Sequence, residues 1–217
     1  MFYCPYENYM RQTATASPTS HYRLLHAAPG TGPVDVHVNG KIVARNLRYL
    51  NFTNYFSAPS GVYSIKVYPA GKSSEPLIDT KLQLVSGSIY TLATVGDPDS
   101  IGLQPISEPL PGPTPNYAMV RFAHLAPGTP EVNITLPDGK KLFSNVSYKE
   151  LTEYIQLAPG NYGIEVISAA NNKRILIVPR INLQADKIYT IYAVGKLNAN
   201  PPLQVLIPLD GSTYLRY

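Results

Sequence analysis

The sequence contains a single cysteine and no tryptophan among its 217 residues. One thiol, Cys4, cannot close an intrachain disulfide or furnish a thiolate metal site, so no disulfide or zinc scaffold underlies the fold. Charge is scarce as well. Only 15% of residues are Asp, Glu, Lys or Arg, against roughly 25% in an average soluble domain. Long apolar runs are missing: none approaches the ~18 residues of a membrane span, and none is expected. The net charge of +4 is thinly spread. Its densest spots, Arg45 with Arg48, Lys140 with Lys141 and Lys173 with Arg174, fall short of the basic cluster that nucleic acid requires. The start, Met1-Phe2-Tyr3-Cys4-Pro5-Tyr6-Glu7, lacks the basic and apolar regions of a secretory signal, which leaves a chain not exported by the general route, a trimmed signal or an alternative route to a surface.

What the chain does have is 21 Pro, 17 Tyr and a 44% hydrophobic content. It is too hydrophobic for disorder and too proline-rich for a helical bundle. It also repeats itself. Residues 22–28 (YRLLHAA) followed by Pro29-Gly30 match 120–126 (VRFAHLA) followed by Pro127-Gly128, at an offset of 98. After one inserted residue the offset becomes 99, through Tyr49/Tyr148, Tyr55/Tyr154, Gly61/Gly160, Tyr63/Tyr162, Tyr90/Tyr189, Thr91/Thr190 and Gly96/Gly195. Leu103-Gln104 and Leu203-Gln204 close the match at an offset of 100. The expected organisation is a tail over 1–21, a repeat over 22–107, a linker over 108–117, a repeat over 118–208 and a tail over 209–217. The region 105–115 holds five prolines, so it reads as a stiff spacer between separate modules.

Each repeat reads as β. Val34, Val36 and Val38 alternate with Asp35 and His37, and Tyr63, Ile65 and Val67 with Ser64 and Lys66. Turn residues punctuate at intervals of ~8–12 residues, which describes two tandem immunoglobulin-like or transthyretin-like antiparallel β-sandwiches of about seven strands each. The segment Tyr148-Lys-Glu-Leu-Thr-Glu-Tyr154 has helical propensity. Its partner Tyr49-Leu-Asn-Phe-Thr-Asn-Tyr55 does not, so both read as turn plus strand.

Several residues stand out. Gly61 and Gly160 suit a positive φ ahead of Tyr63 and Tyr162, whose hydroxyls would return to nearby backbone as a tyrosine corner. His26 and His124 end the first strand of each repeat and read as half-buried imidazoles bonded to the following loop or to Asp35 and Asn133, rather than as metal ligands or bases. Arg23 and Arg121 lie on the opposite face and need a carboxylate, structural rather than substrate. No catalytic motif is present, no cofactor is implied, and Asp97 and Asp99 read as turn formers.

At Arg23-Leu-Leu-His26-Ala-Ala-Pro29, then Val34-Asp35-Val36-His-Val38-Asn-Gly40, the sequence resembles the domain-of-unknown-function family 4397. The second repeat matches at Arg121, His124, Pro127 and Val132, and departs at Asn133, where the family usually has Asp, and at Ile134. The resemblance runs from Tyr22 to Pro208. It implies a β-sandwich module and the surface setting of prokaryotic surface and secreted proteins, but no activity.

The N-terminal tail carries Tyr3, Cys4, Tyr6 and Tyr9, and reads either as a disordered end or as an extended segment that adds to a neighbour's sheet edge. The leading functional expectation is a non-enzymatic structural or protein-interaction module of a cell or spore surface, whose partners are proteins, itself included. The alternative is a carbohydrate-binding module that stacks sugars on Tyr49/Tyr148 and Tyr55/Tyr154. An enzyme is the third.

Overall fold

The computed structural model describes residues 19–108 and 112–215. The first repeat contains β1 (Ser20–His26), β2 (Val34–Val38), β3 (Lys41–Leu47), β4 (Phe56–Ala58), β5 (Gly61–Pro69), β6 (Ile78–Leu84), β7 (Ile89–Val95) and β8 (Gly102–Glu108). The second contains β9 (Ala118–His124), β10 (Val132–Thr135), β11 (Lys141–Val146), β12 (Ile155–Leu157), β13 (Gly160–Ser168), β14 (Arg174–Leu183), β15 (Lys187–Val194) and β16 (Gln204–Leu206). Each repeat is therefore a sandwich of eight strands rather than seven. One sheet runs β4-β1-β7-β8 and the other β3-β2-β5-β6; in the second repeat they run β12-β9-β15-β16 and β11-β10-β13-β14.

The sheets are not wholly antiparallel. β1 pairs with β7 in parallel, as does β9 with β15. A parallel pair needs a long crossover, and here the opposite sheet supplies it. Alternation sends Leu24, Val36, Ile65 and Leu84 into the first core and Val120, Ile134, Val166 and Ile191 into the second. The segments with conflicting propensity are turns followed by short strands. Leu50 and Lys149 take φ of 72° and 69°, and their N–H groups donate to the carbonyls of His26 and His124.

The outward side of the β1/β7 sheet does not face water. Leu25, Ala93 and Ile106 of the first repeat form one buried cluster with Ala123, Leu125 and Tyr192 of the second. The two sandwiches thus stack face to face, four sheets deep, through the same face of the same sheet. This corrects the expectation of separate modules held apart by a spacer. Pro105 belongs to β8, an edge strand where a missing N–H is tolerated.

The C-terminal boundary also moves. Ala93 pairs with Gln104, whereas its counterpart Tyr192 pairs with Leu206. The last strands therefore correspond at an offset of 102, not 100, because the loop before β16 is three residues longer than the one before β8. Residues 209–215, expected as a tail, are folded: Leu209 bridges to Tyr189, and Gly211–Thr213 make a 3-10 turn.

Candidate functional site

The seam between the sandwiches holds the densest chemistry of the described residues. In the first repeat the Arg23 Nε–H donates to Thr91 Oγ1 at 2.8 Å, and the Thr91 hydroxyl donates to Glu108 Oε1 at 2.8 Å. The Tyr55 hydroxyl donates to the same oxygen at 2.6 Å. The second repeat builds the same relay: Arg121 Nε–H to Thr190 Oγ1 at 2.9 Å, Thr190 to Asp210 Oδ2 at 2.8 Å, and Tyr154 to Asp210 Oδ2 at 2.5 Å. The guanidinium of Arg23 lies over the rings of Phe52 and Tyr55, at 4.7 and 4.8 Å from their centroids, and that of Arg121 over Tyr154 at 4.5 Å. Both arginines and both carboxylates are buried.

The relays join across the seam. Arg23 Nη2 stands 3.5 Å from Glu108 and 3.7 Å from Asp210, and its Nη1 donates to the Leu209 carbonyl at 2.9 Å. The Gly211 N–H donates to Glu108 Oε2 at 2.6 Å and reaches the Tyr55 oxygen at 3.0 Å. Tyr214 meets the Tyr55 ring edge-on at 6.0 Å. A strap of residues 209–215 therefore reaches over the first repeat's relay. Outside this cluster, Asp97 and Lys196 pair across the seam at 2.6 Å.

Burial, and then the nearby Glu108 charge, push the Asp210 carboxyl up to about 6. Burial and the adjoining carboxylates push the Tyr55 and Tyr154 phenols far above the ordinary tyrosine value, so both remain protonated donors. Burial alone works against charge on Arg23, but Tyr192, Tyr55, Glu108 and Asp210 outweigh it and raise its pKa. The cluster is an electrostatic weld. Its side chains face one another, and the Arg23 guanidinium lies between both carboxylates.

The other residues singled out from sequence fall as follows. The His26 Nε2 is 3.0 Å from the Gly32 carbonyl, and its Nδ1 lies 3.1 Å from Thr94 Oγ1. A carbonyl only accepts, so Nε2 carries the proton and Nδ1 accepts. His124 repeats the contact with Pro130 O at 3.2 Å. Both rings are fully buried, more deeply than expected, and burial lowers both pKa values. They do not bond to Asp35 or Asn133. Asp35 instead accepts from the backbone N–H groups of Asn46 and Gly71, at 2.7 and 2.9 Å, and Asn133 keeps the first of these bonds, to Asn145 at 2.9 Å. That is why an amide serves in place of the carboxylate.

Tyr63 and Tyr162 donate to the Pro59 and Ala158 carbonyls at 2.8 Å, as a tyrosine corner does. Gly61 and Gly160 have the expected positive φ, 155° and 159°, and open strands β5 and β13. Tyr3, Cys4, Tyr6 and Tyr9 lie outside the described residues. The tyrosines considered for sugar stacking are occupied: Tyr49 and Tyr148 meet His26 and His124 edge to face, and Tyr55 and Tyr154 cover the arginines. A surface groove of about 420 Å³ runs between Ile175 and the 196–203 loop, with the amides of Asn198 and Asn200 in its wall. No group of three or more metal-ligating side chains occurs among the described residues, and none of their helices is long and apolar enough to cross a membrane.

Sequence reasoning missed Glu108 and Asp210. Their relay partners Arg23/Arg121, Thr91/Thr190 and Tyr55/Tyr154 were all visible as repeated pairs. The acids were not, because the offset of 100 aligns Glu108 with Pro208. An offset of 102 in place of 100 aligns Glu108 with Asp210.

Two stacked eight-stranded sandwiches that share a buried seam define a double β-sandwich. The chain matches the domain of unknown function DUF4397 over residues 20–135 and 133–213, and it belongs to that family. No curated protein matches it. Among solved structures it is similar to the Bacillus anthracis TIE protein, at 13% identity over 83% of this chain and 34% of the other, with a TM-score of 0.27. It is also similar to CBMbc (family CBM26) from Eubacterium rectale Amy13K, solved in complex with maltoheptaose, at 9% identity over 89% of this chain and 99% of the other, with a TM-score of 0.28. The chain thus spans about a third of the TIE protein chain. Neither likeness, at these TM-scores, bears on function.

Proposed function

We propose that the protein is a non-enzymatic structural and protein-interaction module of a bacterial cell or spore surface, assembling through its tyrosine-rich tail with Cys4 as a covalent lock. One observation carries the non-enzymatic reading. The cluster that could perform acid–base chemistry is sealed between two sheets, and its groups hold each other instead of facing a substrate. A rigid, charge-poor, tyrosine-rich body suits a building unit. Electron microscopy and sedimentation of the purified chain, with and without reductant, test the assembly. Higher-order particles are expected to vanish on removal of residues 1–18 and to lose their oxidant dependence in Cys4→Ser. An unchanged particle-size distribution in both variants would sink the reading. Immunolabelling of intact cells and spores tests the location.

A carbohydrate-binding reading retains only the amide-lined groove beside Asn198 and Asn200, now that the tyrosines are occupied. A pull-down on insoluble polysaccharide separates the two: retention that is lost in Asn198→Ala favours sugar binding, and passage through the matrix favours the structural module.

A further inference from the structure

The seam pairs corresponding residues of the two repeats. Gly96 and Gly195 correspond, so the next residues, Asp97 and Lys196, occupy the same position in the repeat, and it is these two that meet at 2.6 Å. Both glycines fix that corner in the same way. Their φ values are 103° and 94°, and an added Cβ would stand 2.4 and 2.2 Å from the carbonyl oxygens of Ser100 and Pro202. A contact of one face with its own kind is quasi-isologous, and its near-axis residues face their own counterparts. In a pairing of two first repeats, Asp97 would face Asp97. In a pairing of two second repeats, Lys196 would face Lys196.

The asymmetry extends to the strap. Leu209 O and Gly211 N–H, which satisfy Arg23 and Glu108, are provided by the second repeat. The Nη2 groups of Arg23 and Arg121 are alike buried without a hydrogen-bond partner, so the asymmetry lies in the strap's bonds to Arg23 Nη1 and to Glu108. The face therefore distinguishes its partner from itself by charge sign and by the strap. Nothing in the seam requires both repeats to come from one chain. Every ladder of the described residues stays within one repeat, and continuity rests on the stretch 109–117, whose nine residues reach at most about 30 Å. Pro113 and Pro115 restrict the conformations open to that connection.

We propose that this face is a directional connector: the first repeat of one chain takes the second repeat of another copy by exchange, and like never joins like. The biological use of the connector rests on the reading of the protein as an assembly module, but the exchange itself needs no tail residue.

Charge reversal tests it. Asp97 and Lys196 keep 45% and 29% of their side chains exposed, so substitutions there leave the cores intact. Asp97→Lys gives a chain whose own pair is Lys against Lys, and Lys196→Asp one whose own pair is Asp against Asp. Exchange between these two chains restores opposite charges at both seams. The variants, each spanning both repeats and lacking residues 1–18, are refolded from urea separately and together, and are read by native mass spectrometry. The expected result is a one-to-one heterodimer enriched severalfold in the mixture over either variant alone, lost in 1 M salt, where screening acts over about 3 Å. The chain carrying both substitutions restores the internal pair and is expected to stay monomeric like the parent, which separates charge matching from misfolding. Monomers only in the mixture would overturn the proposal, as would homodimers of either variant at the heterodimer's abundance. Tail-dependent particles and this heterodimer fail independently, so a negative result here leaves the tail reading standing.

Discussion

The buried titratable groups pull the protein's acid stability in two directions. His26 and His124 are neutral in the fold, and burial holds them below the usual 6.5. The unfolded chain takes up protons that the fold refuses, so their contribution is complete above about 6.5 and is lost as pH falls. Asp210 acts in the opposite sense. Its carboxyl titrates near 6 in the fold against an ordinary 3.8, so its contribution is complete below 3.8 and is lost as pH rises through about 6. In urea titrations Asp210→Asn should show less loss of stability than the parent between pH 4 and 6.5, and His26→Gln with His124→Gln less loss on acidification; parallel pH profiles in all three proteins would refute the assignment. Tyr162→Phe removes the corner bond to Ala158 and should cost about 1 kcal/mol, measured by chemical denaturation. These corner tyrosines were legible in the sequence because Gly-x-Tyr recurs at a constant offset. The partners of Arg23 and Arg121 were not: alternation places the guanidinium on the outward face, and no local pattern says what that face will meet.

The strap is an element whose role follows from one missing side chain. A Cβ on Gly211 would stand 2.9 Å from both the Tyr55 ring and the Leu215 side chain. Gly211→Ala should therefore lift the strap from Glu108 and cost about 1–3 kcal/mol, the range for overpacking a filled site; an unchanged denaturation midpoint would show that the strap yields freely. Arg23→Ala leaves Glu108 buried without its guanidinium and should cost about 3–5 kcal/mol. Lys at position 23 would not rescue it, because an ammonium cannot donate to Thr91 and Leu209 with the same fork. Strands were readable from Val34-Asp-Val-His-Val38, where the period of two is set by one face in the core. The parallel pairing of β1 with β7 was not, since pairing partners far apart in sequence leave no trace in local periodicity. Residues 209–215 read as a tail for a related reason: Asp-Gly-Ser-Thr is turn chemistry anywhere, and only the facing relay makes it structure.

At the scale of the molecule, the shared cluster around Leu25, Ala93 and Tyr192 couples the two sandwiches. Calorimetry should find a single unfolding transition with matching calorimetric and van't Hoff enthalpies. Leu25→Asp, which puts a charge into the seam, should split it into two; two transitions in the parent would contradict the coupling. The tandem organisation was visible because a duplicated gene preserves spacing. The stacking was hidden because the proline-rich stretch 105–115 argues for separation when the buried outer faces argue for contact, and buried apolar area outweighs linker stiffness. Face-to-face stacking has a further consequence. Two inner sheets are sealed, so new recognition surfaces can evolve only on the two outermost sheets and the loops at their ends. Those sheets look in opposite directions and, at ~10 Å per layer, stand roughly 30 Å apart. The thickness of the stack thus sets the separation between anything bound to one outer sheet and anything bound to the other, and leaves no cleft between the repeats to clamp an object.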